Sequence, residues 1–323
     1  MLFYRLEIGL EKLYLFILKL ALMTTSRRTF LKNSALLLAG TSMLSKGAFA
    51  ASAKNKILGV QLYSVRDDMR ADPIGTLTQL AKIGYKHLEH ANYVDRKFYG
   101  YHAKEFKKIL DDLGLKMVAG HTAMSVDHYD YVKKDFTDAW KYTIEDAAVL
   151  NQKYVISPSM PQTIRGSYDA MANFLDLFNL SGELCRKSGM KFGYHNHSFE
   201  FILKLNGKKV FDLFMERTDQ KLVSMQLDIG NMFIAEAKAI DVLTQYPGRF
   251  ELMHVKDEIA VNTPEKLESA VLGTGIIPVK EIIDLGRAKG NTSIFIVEQE
   301  SYQNMSAMES VRKDYDVMKG WGY

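Results

Sequence analysis

Three short stretches of this 323-residue chain place reactive side chains two residues apart: His195 with His197, His254 with Lys256, and Glu298 with Glu300. In an extended strand, residues two apart point to the same side, so each stretch is a same-face pair. Imidazoles and carboxylates hold divalent metals, and an amine or carboxylate beside them can move protons. A lone His or Glu at a strand end is usually a surface or capped group. Three such pairs, with Asp228, Glu89, His90 and His121 ending further apolar runs, are instead the makings of one shared site.

Such residues need strands to carry them, and the chain supplies them at regular intervals. From residue 57 onward, short runs rich in β-branched and aromatic residues alternate with longer segments of helical periodicity. The runs are Ile57 to Tyr63, His87 to His90, Lys116 to Gly120, Tyr154 to Pro158, Lys191 to His195, Val223 to Asp228, Glu251 to Val255 and Ser293 to Glu298. Eight β then α units in about 240 residues predict a single-domain α/β fold, the (β/α)8 TIM barrel, whose active sites gather at the C-terminal strand ends.

Gly84-Tyr85-Lys86, Gly114-Leu115-Lys116 and Gly189-Met190-Lys191 each close a helical pattern and lead into a strand, as glycine at a helix C-terminus does. Asp72-Pro73 predicts an N-cap and first helical residue, and Pro278 opens the seventh helix in the same manner. An open doubly wound sheet would show the same alternation. It is disfavoured because no Gly-x-Gly-x-x-Gly follows the first strand and polar residues end nearly every strand.

The N-terminal region reads differently. Ser26-Arg27-Arg28-Thr29-Phe30-Leu31-Lys32, the apolar run Ala35 to Leu44 and Ala48-Phe49-Ala50 form a twin-arginine export signal beginning near Met23, with cleavage near Ala50. The expected organisation is a signal region over 1–50 and the barrel over 51–323. The apolar run is too short and interrupted for a stable membrane span. The expectation is therefore a periplasmic protein that meets the twin-arginine translocase during export. Residues 1–22 sit ahead of a conventional signal start and are no part of the barrel.

Composition excludes other classes. With 47% hydrophobic and 25% charged residues the chain is an ordinary globular one, and its single cysteine, Cys185, precludes an intramolecular disulfide. The first 50 residues carry +5 of the net +4, leaving −1 for the remainder and no basic surplus for nucleic acid. A homo-oligomer is compatible with this composition.

The residues resemble the xylose-isomerase-like superfamily of sugar isomerases and epimerases, particularly its exported members. The resemblance spans Ile57 to about Tyr302. It rests on Gly59-Val60-Gln61-Leu62-Tyr63-Ser64, Tyr194-His195-Asn196-His197, Leu227-Asp228-Ile229-Gly230-Asn231, His254-Val255-Lys256-Asp257, Leu272-Gly273-Thr274-Gly275 and Val297-Glu298-Gln299. It implies one divalent metal held by a carboxylate, Asp, His and Glu from the fifth to eighth strands. Asp228, His254 and Glu298 fill the last three places. At the first, where many relatives have glutamate, this chain has His195, with His197 and Glu200 as alternatives. That exchange favours Mn, Co or Zn over Mg.

The resemblance further implies a sugar or ketosugar substrate and removal of a proton alpha to a metal-bound carbonyl, with Lys256, His121, His197 and Glu300 as candidate bases. Glu89, Tyr63, Asn196 and the backbone of Gly275 are candidate substrate contacts. The leading expectation is a metal-dependent sugar isomerase or epimerase. The alternative is a lyase, cleaving 3-keto-glycosides or dehydrating inosose, because histidine at the first place departs from the paired glutamates of the epimerases. A non-catalytic periplasmic sugar-binding protein would lack ligands that this chain retains.

Overall fold

The computed structural model describes residues 56–262 and 266–323. The expected signal region, its cleavage site and the start of the barrel domain at residue 51 lie outside the described residues. The eight expected strands all form: β1 (Ile57–Gln61), β2 (His87–His90), β3 (Lys116–His121), β4 (Tyr154–Ser157), β5 (Lys191–His195), β6 (Val223–Asp228), β7 (Leu252–Val255) and β8 (Ile294–Val297). They pair in parallel and close into a barrel in chain order, β1 meeting β8. The strands alternate with principal helices α1 (Pro73–Ile83), α2 (Ala103–Asp112), α3 (Asp138–Val149), α4 (Tyr168–Lys187), α5 (Val210–Arg217), α6 (Ala239–Gln245), α7 (Val279–Leu285) and α8 (Ala307–Gly320).

The helix boundaries follow local chemistry. The Asp72 side chain accepts from the Gly75 N–H at the start of α1, with Pro73 in the first turn. Gly84, Gly114 and Gly189 all take positive φ, 124°, 67° and 75°, and turn the chain back toward the barrel. Pro278 sits one position outside the expectation, as the cap residue before α7. None of the described helices is long and apolar enough to cross a membrane.

Strand alternation sorts the side chains into two environments. Outward residues such as Tyr194, Met225, Leu227, Met253, Val255, Phe295 and Val297 join the core between barrel and helices. Inward residues stack in layers. An apolar plug of Tyr154, Ile156, Leu252, Ile294 and Ile296 fills the lower barrel, and Gly193 leaves room for Ile156, whose Cδ1 would stand 2.4 Å from an added Cβ. Above it come Glu89, His195, Gln226 and His254, all buried. Above those, around the mouth, stand Asp228, Lys256 and Glu298.

One irregularity decides a site residue. Leu88 pairs with Met117 but Glu89 pairs with Ala119, so β3 carries a bulge at Val118. Met117 packs outward with Leu88. Without the bulge, alternation would turn residues 119 and 121 outward as well. The extra residue re-aims them, and His121 enters the barrel beside Glu89.

Candidate active site

His195 ends β5, Asp228 ends β6, His254 lies in β7, and Glu298 directly follows β8. Each offers one ligand atom, and the four atoms lie within 4.8 Å of one another, fully buried. Asp228 is placed twice over: its Oδ1 caps the short helix Ile229–Ile234 by accepting the Asn231 N–H at 2.7 Å. Its Oδ2 is left buried without a hydrogen bond, although Lys256 Nζ stands 3.3 Å away. A buried carboxylate oxygen with no hydrogen bond, aimed at two imidazoles and a second carboxylate, fits a cation.

Charge supports the same fit. Glu89, Asp228 and Glu298 are buried carboxylates, whereas Lys256 is the cluster's one buried ammonium. With His254 counted as the neutral imidazole a metal requires, the imbalance is two negative charges, which a divalent ion would neutralise in place of the imidazolium proton. Burial opposes charge on His254, yet Glu298 and Glu89 outweigh it and raise the imidazole to about 10. Burial likewise raises Asp228, whereas Lys256 and His254 overcome burial to hold Glu298 well below the usual carboxylate range.

The ring nitrogens are oriented from beneath. Gln226 Nε2 donates to both oxygens of Glu89, at 2.9 and 3.0 Å, and this fixes its amide, since a carboxylate must face the NH2 group. Gln226 Oε1 then accepts from His121 Nε2 at 2.8 Å and His195 Nδ1 at 3.2 Å. His195 therefore carries its proton on Nδ1 and presents Nε2 toward Asp228, 3.7 Å away. Glu89 Oε2 holds His254 Nε2 at 2.7 Å, leaving Nδ1 to face Glu298 and Asp228. Carboxylate or carbonyl support behind each imidazole is how metal-binding histidines are oriented. Gln226 was missed in the sequence, although it precedes Asp228 by two and shares its inward face.

The proton-moving candidates ring the mouth. Lys256 Nζ lies 3.0 Å from both Glu298 and Glu300. Burial disfavours its charge, but Asp228, Glu298 and Glu300 outweigh it and hold the ammonium well above its ordinary value. His197 lines the cavity, and burial together with the Lys256 charge lowers it to about 4, so its ring is neutral at neutral pH. Glu300 and Tyr63 also line the cavity. His121 lines it too, with Nε2 already engaged below.

Four residues stand elsewhere than expected. Glu89 lies under His254 rather than on the cavity wall. Asn196 is spent on the Asp228 backbone, donating to its carbonyl at 3.2 Å and accepting its N–H at 3.0 Å, so it braces β5 to β6. The Gly275 N–H donates to Asp257 Oδ2, which also takes the Gly273 N–H, and this loop is a carboxylate-anchored turn away from the cavity. Glu200 accepts from Tyr194 and from the His197 N–H, outside the metal quartet. In each case a polar side chain or backbone N–H found a backbone or buried partner that spacing alone does not show.

A model of the xylose isomerase-like TIM barrel family matches residues 77–321. The chain belongs to that family. An inosose dehydratase of Geobacillus thermodenitrificans is 30% identical over 139 residues, 39% of this chain and 46% of that relative, so the chain matches less than half of the relative's length. A sugar phosphate isomerase/epimerase structure from Parabacteroides distasonis superposes with a TM-score of 0.68 at 25% identity, covering 84% of this chain and 96% of that one. An IOLI protein structure with a zinc atom shares the fold, with a TM-score of 0.64 at 14% identity over 82% of this chain and 97% of its own.

Proposed function

We propose that this member of the family is a metal-dependent lyase acting on an oxidised sugar: it removes the proton alpha to a carbonyl and expels an oxygen substituent from the neighbouring carbon. His195, Asp228, His254 and Glu298 would hold the ion. When bound there, a divalent metal supplies Lewis acidity to a carbonyl oxygen.

One observation carries the lyase reading. His195 replaces the first carboxylate, and its two nitrogens are committed, Nδ1 to Gln226 and Nε2 toward Asp228. It has no proton to exchange with substrate, so the paired-glutamate route of the epimerases lacks one partner. His197, with no hydrogen bond to its ring among the described residues, takes the proton from the alpha carbon, and the C–H electron pair moves toward the carbonyl to give an enolate. As the carbonyl reforms, the bond from the beta carbon to the leaving oxygen breaks. That oxygen keeps the pair and receives a proton from Lys256 Nζ, which Glu298 and Glu300 orient at 3.0 Å. Transfer of a proton from the imidazolium back to the amine through solvent restores both groups.

A second reading, isomerase or epimerase, is favoured by His197 and Glu300 both lining the cavity, two groups able to pass a proton through different positions. Deuterium oxide decides between them. Metal-loaded protein incubated with 3-keto-glycosides and a panel of free sugars is monitored by NMR. Release of an aglycone or water supports the lyase. Deuterium incorporation with no group released, the product being an isomer or epimer of the substrate apart from the isotope, supports the second reading, and neither change with any substrate refutes both.

A further inference from the structure

The cavity above the metal quartet has a volume of about 970 Å³, at the upper end of small-molecule sites and well beyond a single sugar ring. The quartet comes from β5 to β8. The opposite wall comes from the loop after β2 and from α3, which joins β3 to β4, directly across the closed ring.

That wall is built rigidly. Val94 and Lys97 exchange backbone hydrogen bonds of 3.0 and 2.9 Å around a two-residue turn whose central residues, Asp95 and Arg96, have φ of 50° and 59°. Such turns favour Asn and Gly, and side-chain-bearing residues adopt them at a cost that marks positions fixed by their surroundings. Here the fixing group is Asp146 of α3, 6% exposed. It accepts from Tyr93 Oη at 2.6 Å and from Arg96 Nε and Nη2 at 3.0 and 2.8 Å. The Arg96 guanidinium in turn lies 4.0 Å over the Tyr142 ring, and Tyr142 keeps 37% of its surface exposed at the cavity. A strained turn, a buried carboxylate and a cation stacked on an aromatic together hold two tyrosines at the rim.

We infer that this Tyr93–Tyr142 wall is a subsite for a second ring, so that the substrate is a glycoside whose leaving group carries a ring held across the cavity from the metal quartet. This rests on the quartet being the reacting end. Tyr142, with the planar Arg96 guanidinium stacked over its ring, offers a flat surface to the C–H face of a pyranose or to an aryl group alike, and the shared chemistry is a flat ring joined through the glycosidic oxygen.

The test measures binding and needs no turnover. Full metal-loaded protein is titrated by NMR with methyl β-D-glucopyranoside, phenyl β-D-glucopyranoside and cellobiose, which differ only in the group attached to the glycosidic oxygen. The expected result is about tenfold tighter binding of one ring-bearing probe over the methyl glycoside, with that preference lost in Tyr142→Ala. A preference for the phenyl glycoside assigns an aryl leaving group, and one for cellobiose assigns a sugar. Equal affinities for all three, or a preference untouched by Tyr142→Ala, overturn the subsite. Tyr142 is half-exposed on a helix that tolerates alanine, so the variant folds, which circular dichroism checks. Ring preference without proton exchange would refute the lyase reading alone; proton exchange without ring preference would refute the subsite alone.

Discussion

Glu89 Oε2 and His254 Nε2 are 2.7 Å apart, joining the end of β2 to β7 through the barrel axis. Burial opposes the Glu89 charge, but His121 and His254 outweigh it and hold the carboxylate well below its ordinary range. Glu89 is therefore the ionised partner that sets the His254 tautomer. Glu89→Gln should weaken metal binding about 10- to 100-fold without touching a ligand. Competition against a fluorescent chelator measures this, and unchanged affinity would remove Glu89 from the site.

Asp228 contributes both a cap and a ligand oxygen. Asp228→Ala should leave less than a tenth of the wild-type metal content by elemental analysis. Loss of the cap to Asn231 adds about 1 kcal/mol of destabilisation, read from urea unfolding of the metal-free proteins. Full metal occupancy in the variant would show that the quartet is not the binding site.

Lys256→Met keeps the aliphatic stem and deletes the ammonium. Turnover is expected to fall about 10²- to 10⁴-fold with metal retained. Because Asp228 and Glu298 lose their neutralising neighbour, metal affinity should rise rather than fall. Wild-type release of the leaving group by this variant would make Lys256 structural. The matching His197→Phe variant should block exchange of the alpha proton with solvent.

Asp314 of α8 makes the stability of the barrel depend on pH. Its Oδ1 accepts the Leu272 N–H at 2.8 Å while Oδ2 is buried without a partner, and burial outweighs that hydrogen bond to push the carboxyl up to about 7. The unfolded value is about 3.9, so between roughly pH 4 and 7 the folded state keeps a proton the unfolded chain has lost. Stability from this group is thus complete below pH 4 and declines as pH rises to 7. Asp314→Asn removes the penalty and should raise the melting temperature several degrees more at pH 8 than at pH 5. An equal change at both values would mean the carboxyl does not titrate in this window.

The proposal of twin-arginine export rests on residues 26–50 alone. Replacing Arg27-Arg28 with Lys-Lys should leave precursor in the cytoplasm, whereas the wild type should be recovered from the periplasm with an N-terminus near Ala51. Fractionation and immunoblotting measure this, and normal export of the variant would exclude the twin-arginine route.

The amino-acid sequence by itself determined the barrel, because strand and helix periodicities and terminating glycines are local properties that leave their spacing in the chain. For the quartet, the resemblance implied Asp228, His254 and Glu298 and left the fourth place between His195, His197 and Glu200; the closed barrel gathers His195 with the other three. Tertiary structure decided who supports whom. The β3 bulge that turns His121 inward leaves no mark in the pattern of apolar residues. Gln226 and Glu89 meet across 137 residues, and Arg96 and Asp146 across 50. Asn196 and Gly275 looked like substrate contacts because they sit beside the motifs, yet each spends its polar atoms on a buried neighbour. Strand spacing tells which way a side chain points, but the partner it finds depends on what the opposite side of the barrel presents at the same depth.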